Sequence, residues 1–575
     1  MAANPLDLLE ALGPKARARI ERVTERIALP AGEILFHQGS APKAVYLVVA
    51  GTLGVYVTGP TAQRQLIAII ETGESVGEMA VLSGTPRTAT VIAIRDCELL
   101  KLTKANFDLL QKREPELMAG IVRILVHRLR QVSRGAGNRI EPRTTAVLPT
   151  AHGIAAESIA RKLGALLEKD GDTVKIIGPN NPKRPVKWYA EQEENHDRVF
   201  LCADLGSERW IRQCARQADR ILIVARARDP VASALPADLL QQRADHQLLD
   251  LVLLHEDGTD RPTRTSRWLD LVPVNRHFHI RESETRDWER LARIVGGRAV
   301  GLVLSGGGAR AYAHIGATRA ILEYGIEIDF IGGVSMGAII AANLAMGSDI
   351  DEVANHVQDA FVHGTPLSDI TLPLIALVKG RKVERLLAEH FGRVEIPDLW
   401  LPFYCVSSNL SDGSLHIHRR GLVRDALRAS VALPGVLPPK IVNRRVLVDG
   451  AVLDNLPVDV MRSLHRGPIV AVDVTRDRAL TPEMLAIEHR SSWLQQLIRP
   501  PIISILMRAG TVSSDSDIEK QAQNADLLIE PPLGDIDIRD WKAFDRAVTI
   551  GYEHTAEKLD RSLGSLRRVR RTPQI

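Results

Sequence analysis

Cysteine is scarce in this 575-residue chain: Cys97, Cys202, Cys214 and Cys405 are the four, scattered and without a C-x-x-C pair. That spacing excludes a disulfide scaffold and a thiolate metal site, so a reducing, cytoplasmic setting is expected. No window of about 18 uncharged apolar residues occurs, so no membrane-spanning helix is expected and membrane contact would be peripheral. Met1 to Pro5 lack the basic start and apolar run of a signal peptide. An excess of one charge is also missing. The formal charge of +4 is too small to mark a dedicated nucleic-acid binder. No G-K-[ST] follows a glycine run, which removes the phosphate-loop lysine of an ATPase or GTPase.

What remains is 45% apolar and 25% charged, ordinary for a soluble globular protein, and the length predicts two to four domains. The chain is organised around Gly333-Val334-Ser335-Met336-Gly337. It follows a strand candidate, Ile328 to Ile331, and opens a helix candidate, Ala338 to Leu344. A G-x-S-x-G at a strand-to-helix turn is a nucleophile elbow, with glycines where side chains would collide with neighbouring strands. The helix N-terminus behind the serine favours developing negative charge. About thirty residues upstream, Ser305-Gly306-Gly307-Gly308-Ala309-Arg310 ends another apolar strand candidate, Ala299 to Leu304. Its backbone N–H groups could serve as an oxyanion hole.

The serine needs a base. His465, His489 and His554 lie downstream, but none sits in a glycine turn. Val446-Leu447-Val448-Asp449-Gly450-Ala451 is a short apolar strand that delivers a carboxylate into one. An aspartate beside the serine can act as its general base directly. The plainer reading of a single D-G is a strand-end turn. The segment Leu304 to Gly316, the elbow and Asp449-Gly450-Ala451 together resemble the patatin-like phospholipases, and within them the neuropathy target esterase branch. Ala429 to Pro439 and Asp454-Asn455-Leu456-Pro457 fit the same pattern, while Ala311 stands where the family usually has glycine. The resemblance implies a Ser335–Asp449 dyad without histidine or metal. It also implies an oxyanion hole at Gly306, Gly307 and Gly308, and a phospholipid or lysophospholipid substrate.

Near the N-terminus, a helix is expected from Asp7 to Arg26. Short apolar runs between Gly32, Gly39, Gly51, Gly54 and Gly73 then predict a β-roll. Gly77-Glu78-Met79-Ala80, nine residues from Glu78 to Arg87, and Thr88 follow. Arg87 could pair with a phosphate, and Glu78 could accept from a sugar hydroxyl. This run resembles the phosphate-binding cassette of cyclic-nucleotide-binding domains, which implies cAMP or cGMP as a regulatory ligand at Gly77, Glu78, Arg87 and Thr88. Lys104 to Val132 reads as amphipathic helices suited to transmit such a signal.

Beyond a linker at Gly135 to Arg139, strands and helices alternate up to about residue 295, as in an α/β domain with a mostly parallel sheet. Its first turn, Pro149-Thr150-Ala151-His152-Gly153, lacks the phosphate-loop residues, so a bridging role is expected. The expected architecture is multidomain: a β-roll with flanking helices over 1–135, a central α/β domain over 136–295, and an α/β patatin-like hydrolase over 296–575. Trp493 to Met507 and the basic Arg567 to Arg571 are candidates for membrane or subunit contact, leaving a peripheral association or a homodimer open. The expected function is a cyclic-nucleotide-responsive serine ester hydrolase. The rival is a cyclic-nucleotide-binding scaffold with a silent hydrolase fold.

Overall fold

Alternating apolar runs build the first element of the chain. Eight strands, from Glu25–Leu29 to Cys97–Thr103, pair into two four-stranded sheets. Val48, Leu53, Ile70, Val91 and Leu99 fill the space they enclose. The computed structural model describes residues 14–569 apart from 59–63, 114, 134–141, 180–183, 232–233, 237–238, 240–246, 273, 365–366, 370, 372–375, 465–466, 476–520 and 522. The linker at Gly135–Arg139 and the run from Trp493 to Met507 therefore lie outside the described residues, as does the tail beyond Val569. No helix among the described residues is long and apolar enough to cross a membrane.

The chain divides into two compact units, Met1–Leu253 with Val272–Asn275, and Leu254–Leu271 with Arg276–Ile575. In the first, the helix expected to reach Arg26 ends at Val23. Glu25–Leu29 pairs instead with Cys97–Thr103, because Ile27 and Leu29 alternate towards the roll interior. Helices Lys104–Arg113 and Pro115–Ser133 follow and bury Phe107, Leu117 and Ile121 against Val45 and Leu102. Thr144–Pro149, Val174–Ile177, Arg198–Cys202 and Arg220–Arg226 then form a parallel ladder. Arg95, in the turn before the last roll strand, is bonded to Thr52 of the roll at 2.8 Å. It also pairs with Glu193 and lies 3.5 Å from Asp219. Burial alone would lower its pKa, but the Asp219 and Glu193 carboxylates outweigh that and raise it.

The second unit holds the elbow. Its strands are β1 (Gly301–Leu304), β2 (Phe330–Gly333), β3 (Phe403–Asn409), β4 (Ser414–His418), β5 (Lys440–Val442), β6 (Arg445–Asp449), β7 (Ile469–Val472) and β8 (Leu527–Ile529). They hydrogen-bond in the order β5-β6-β3-β2-β1-β7-β8, with β4 also on β3. The centre is parallel and wholly buried, as its unbroken apolar runs require. Four helices matter below: α1 (Ala313–Glu323), α2 (Ser335–Ala345), α3 (Val423–Ser430) and α4 (Phe544–Val569). Helices α1 and α4 pack backbone against backbone. A Cβ on Gly316 would overlap Val548 O, and one on Gly551 would overlap Ala313 O.

Two outcomes are expected from this unit. Gly316→Ala should force α1 and α4 apart and cost about 1–3 kcal/mol, as overpacking does, measured as a lowered denaturant midpoint. Burial also holds the His277 pKa at about 4 against an ordinary 6.5. The unfolded residue takes up its proton first as pH drops, so this contribution is complete above about pH 6.5 and is lost progressively down to about pH 4. Stability should therefore decline over that window by up to about 1.4 kcal/mol per pH unit, and His277→Gln should flatten the slope.

Candidate active site

The site arises from one edge of β3. Cys405 pairs with Gly333 of β2 on one side and with His418 of β4 on the other. Ser407 pairs with Asp449 of β6 on one side and with His416 of β4 on the other. Strand β4 keeps a single edge throughout, so β2 and β6 share the opposite one. They run towards each other and end at Gly333 and Asp449, with only Val406 between their last partners.

The chain turns off β2 sharply. Ser335 holds φ 53°, a left-handed conformation that a residue with a side chain adopts only under constraint. Gly333 and Gly337 allow it, since a Cβ on either would press into the backbone of Leu304. The turn leaves Ser335 Oγ donating to Asp449 Oδ2 at 2.7 Å. The other carboxylate oxygen accepts from Ala451 N at 3.0 Å. Asp449 is 2% exposed, so its carboxyl oxygens are satisfied by hydrogen bonds rather than by bulk water. Ser335 N–H donates to Ser430 Oγ at 3.0 Å, and that hydroxyl donates to Val406 O at 2.8 Å.

The glycine run lies directly beside the serine. A Cβ on Gly306 would sit 3.1 Å from Ser335 Cβ and 2.7 Å from Asn455 Oδ1. Asn455 grips Gly306 twice, accepting from its N–H at 3.1 Å and donating to its carbonyl at 3.3 Å. The expectation that Gly306 supplies an oxyanion donor is thereby corrected, because its N–H already has a buried acceptor. The Gly307 and Gly308 N–H groups have no such side-chain partner among the described residues. Both positions require glycine: a Cβ on Gly307 would overlap Val474, and one on Gly308, at φ 57°, would overlap Ile538 O. Behind the run, His314 Nε2 donates to Ser305 O at 2.8 Å. Burial lowers the His314 pKa to about 4, so it is a neutral strut near pH 7. His554 lies on α4, and no hydrogen bond joins it to Ser335 among the described residues; His489 falls outside them.

In the roll, Arg87 is 4% exposed. Its guanidinium donates to Gly77 O and Ala44 O, each at 2.6 Å, and lies 4.1 Å over the Phe36 ring. Burial lowers its pKa. Glu78 is 1% exposed, while Thr88 faces solvent. Gly77 has φ 86°, and a Cβ there would overlap the Arg87 guanidinium. The four cassette residues are thus brought to one place. In the middle segment, Thr150 N–H donates to Val224 O and Gly153 O accepts from Arg226. No group of residues suited to hold a metal occurs among the described residues.

Ser430 and Asn455 lie in stretches that fit the family pattern, but the sequence assigns neither a contact at the site. Their partners lie 95 and 149 residues away, and neither motif names its contact.

Three family profiles cover most of the chain: "Patatin-like phospholipase" over residues 302–462, "Cyclic nucleotide-binding domain" over 26–114, and "Neuropathy Target Esterase family P-loop like domain" over 141–295. An uncharacterized NTE family protein of Mycobacterium tuberculosis is 29% identical, over 96% of this chain and 94% of its own. A lysophospholipase of Neosartorya fischeri is 29% identical over 96% of this chain and 43% of its own. Human patatin-like phospholipase domain-containing protein 6 is 27% identical over 92% and 44%. The chain thus spans nearly all of the mycobacterial relative and less than half of the fungal and human ones. The chain therefore carries, in this order, a cyclic nucleotide-binding domain, a neuropathy target esterase family P-loop like domain and a patatin-like phospholipase domain, and over nearly its whole length it is similar to neuropathy target esterase family proteins.

Proposed function

We propose that the chain hydrolyses acyl esters of phospholipids or lysophospholipids with Ser335 and Asp449 as the working pair. The observation that carries this reading is the 2.7 Å hydrogen bond from Ser335 Oγ to Asp449 Oδ2 at the elbow. Ser335 Oγ attacks the ester carbonyl carbon while its proton passes to Asp449. The carbonyl oxygen becomes an oxyanion facing the Gly307 and Gly308 N–H groups. Collapse of the tetrahedral intermediate breaks the acyl–oxygen bond, and the proton on Asp449 goes to the departing alkoxide. Water then attacks the acyl-serine, giving its proton to Asp449, and the fatty acid leaves with Ser335 restored. Each backbone donor of this kind is worth about 3 kcal/mol in comparable sites. The match to the patatin-like phospholipases and the lysophospholipase named among the relatives support the substrate class.

The roll is proposed to bind cAMP or cGMP. Arg87 supplies the charge for the cyclic phosphate, and Glu78 an acceptor for the ribose. Arg87 Nη1 and Nη2 donate to Gly77 O and Ala44 O, while its buried Nε has no partner among the described residues and is free to donate to a phosphate oxygen. The three domain assignments, 1–135, 136–295 and 296–575, remain part of this reading, with the middle one as a bridge.

Ser335→Ala and Asp449→Asn should each abolish ester hydrolysis while the chain stays folded, and the double variant should be no worse than either single one. Turnover of a lysophospholipid and labelling by a serine-reactive fluorophosphonate measure this. Substantial activity in Asp449→Asn would assign the base elsewhere. A chain that binds cyclic nucleotide yet neither labels nor turns over would be the scaffold rather than the enzyme.

Arg87→Ala should weaken cyclic-nucleotide binding by at least tenfold, since a charge-assisted contact is removed. Calorimetry with cAMP and cGMP checks it. Wild-type chain that binds neither at millimolar concentration would leave the roll a packing module.

A further inference from the structure

The ladder between β2 and β3 is one rung shorter than its register allows. Ile331 N–H donates to Pro402 O at 3.0 Å, and Gly333 stands opposite Cys405. The same parallel spacing would bring Ser335 N–H onto Val406 O. The two groups do not meet. The Ser430 hydroxyl lies between them, accepting from Ser335 N at 3.0 Å and donating to Val406 O at 2.8 Å. The slot opposite Ser407, which Ser335 would have filled, belongs to Asp449.

From this geometry we infer that Ser430 is a positioning residue: its hydroxyl is a wedge in the ladder that lifts Ser335 off the sheet and aims it at Asp449. The inference rests on the dyad reading above. Three features carry it. Ser430 is wholly buried, so no water substitutes for its hydroxyl. A hydroxyl is the smallest side-chain group able to accept from an N–H and donate to a C=O at once. Without it, Ser335 N–H and Val406 O are either left unpaired or free to close on each other, which would draw Ser335 back towards the slot that Asp449 occupies. Either result moves Oγ away from 2.7 Å. Ser430 is the last residue of α3, and the next turn returns to the site, where Asp449 N donates to Ala432 O at 3.0 Å. One short segment thereby sets the nucleophile through a side chain and the base through its backbone.

The test is Ser430→Ala in the full chain, assayed beside wild type and Ser335→Ala on a lysophospholipid, with fluorophosphonate labelling rates and thermal melts. Misplacement of a reacting group by about 1 Å can cost 100-fold. The expected result is a folded variant with kcat reduced about 10- to 100-fold, KM within about twofold of wild type, and labelling slowed in the same proportion as kcat. Ser430→Thr, which restores the hydroxyl, should recover part of the labelling rate relative to Ser430→Ala. A folded Ser430→Ala variant with kcat within twofold of wild type overturns the inference. So does a loss confined to KM, which would make Ser430 a substrate-binding residue. If Ser335→Ala itself still labels and turns over, the dyad reading fails and the positioning role of Ser430 falls with it. Inactive Ser335→Ala beside unimpaired Ser430→Ala removes the wedge alone.

Discussion

Everything at the site depends on one edge of β3 being shared by two strands that run head-on. Parallel β2 brings the elbow upward, and antiparallel β6 brings Asp449 down to meet it, 114 residues later in sequence. Neither strand has room to continue. The chain after Gly333 must leave the sheet, which explains why Ser335 takes a left-handed backbone and why glycines surround it. Strain of about 1–3 kcal/mol at such a residue persists only where the surroundings over-determine it. Here those surroundings are the Leu304 backbone, the Ser430 hydroxyl and the Asp449 carboxylate.

The glycine run answers the same constraint from the neighbouring strand. Ser305, Gly306, Gly307 and Gly308 leave β1 just where β2 gives way to the elbow. His314 holds Ser305 O and Asn455 holds Gly306 on both its backbone groups, so two successive peptides are fixed before Gly307. A donor that is aimed in advance needs no reorganisation when charge develops. Arg310 extends this rigidity, donating to Ile536 O at 2.6 Å and tying the run to the segment ahead of α4.

Much of this was legible from local pattern. Strand–glycine–serine–glycine–helix can be read within about fifteen residues, and the unbroken apolar run of β7 announces an element by its own composition. The roll and the parallel ladder followed from that kind of signal. The helix boundary at Val23 was misplaced because Glu25 and Arg26 are charged and helix-compatible, while their strand partner, Cys97–Thr103, lies some seventy residues away. The contacts of Ser430 and Asn455, which lie in stretches that fit the family pattern, were not legible for the same reason. Each acts on a backbone group brought near only by the completed sheet, and nothing in Ala429-Ser430-Val431 or Asp454-Asn455-Leu456 specifies its partner. Gly306 was over-read: a glycine run shows which positions need freedom, not which N–H is already engaged.

The head-on meeting of β2 and β6 also has a consequence for how the molecule is made. Ser335 emerges from the ribosome long before Asp449 is translated, and β6 takes its place at the site by pairing with β3. With the pair as the hydrolytic unit, a nascent chain halted between these points carries the serine but no base. Hydrolytic competence then requires β6 to be in place on β3. On the same reading, a partly synthesised or proteolytically clipped chain that has lost β6 keeps the nucleophile without its base.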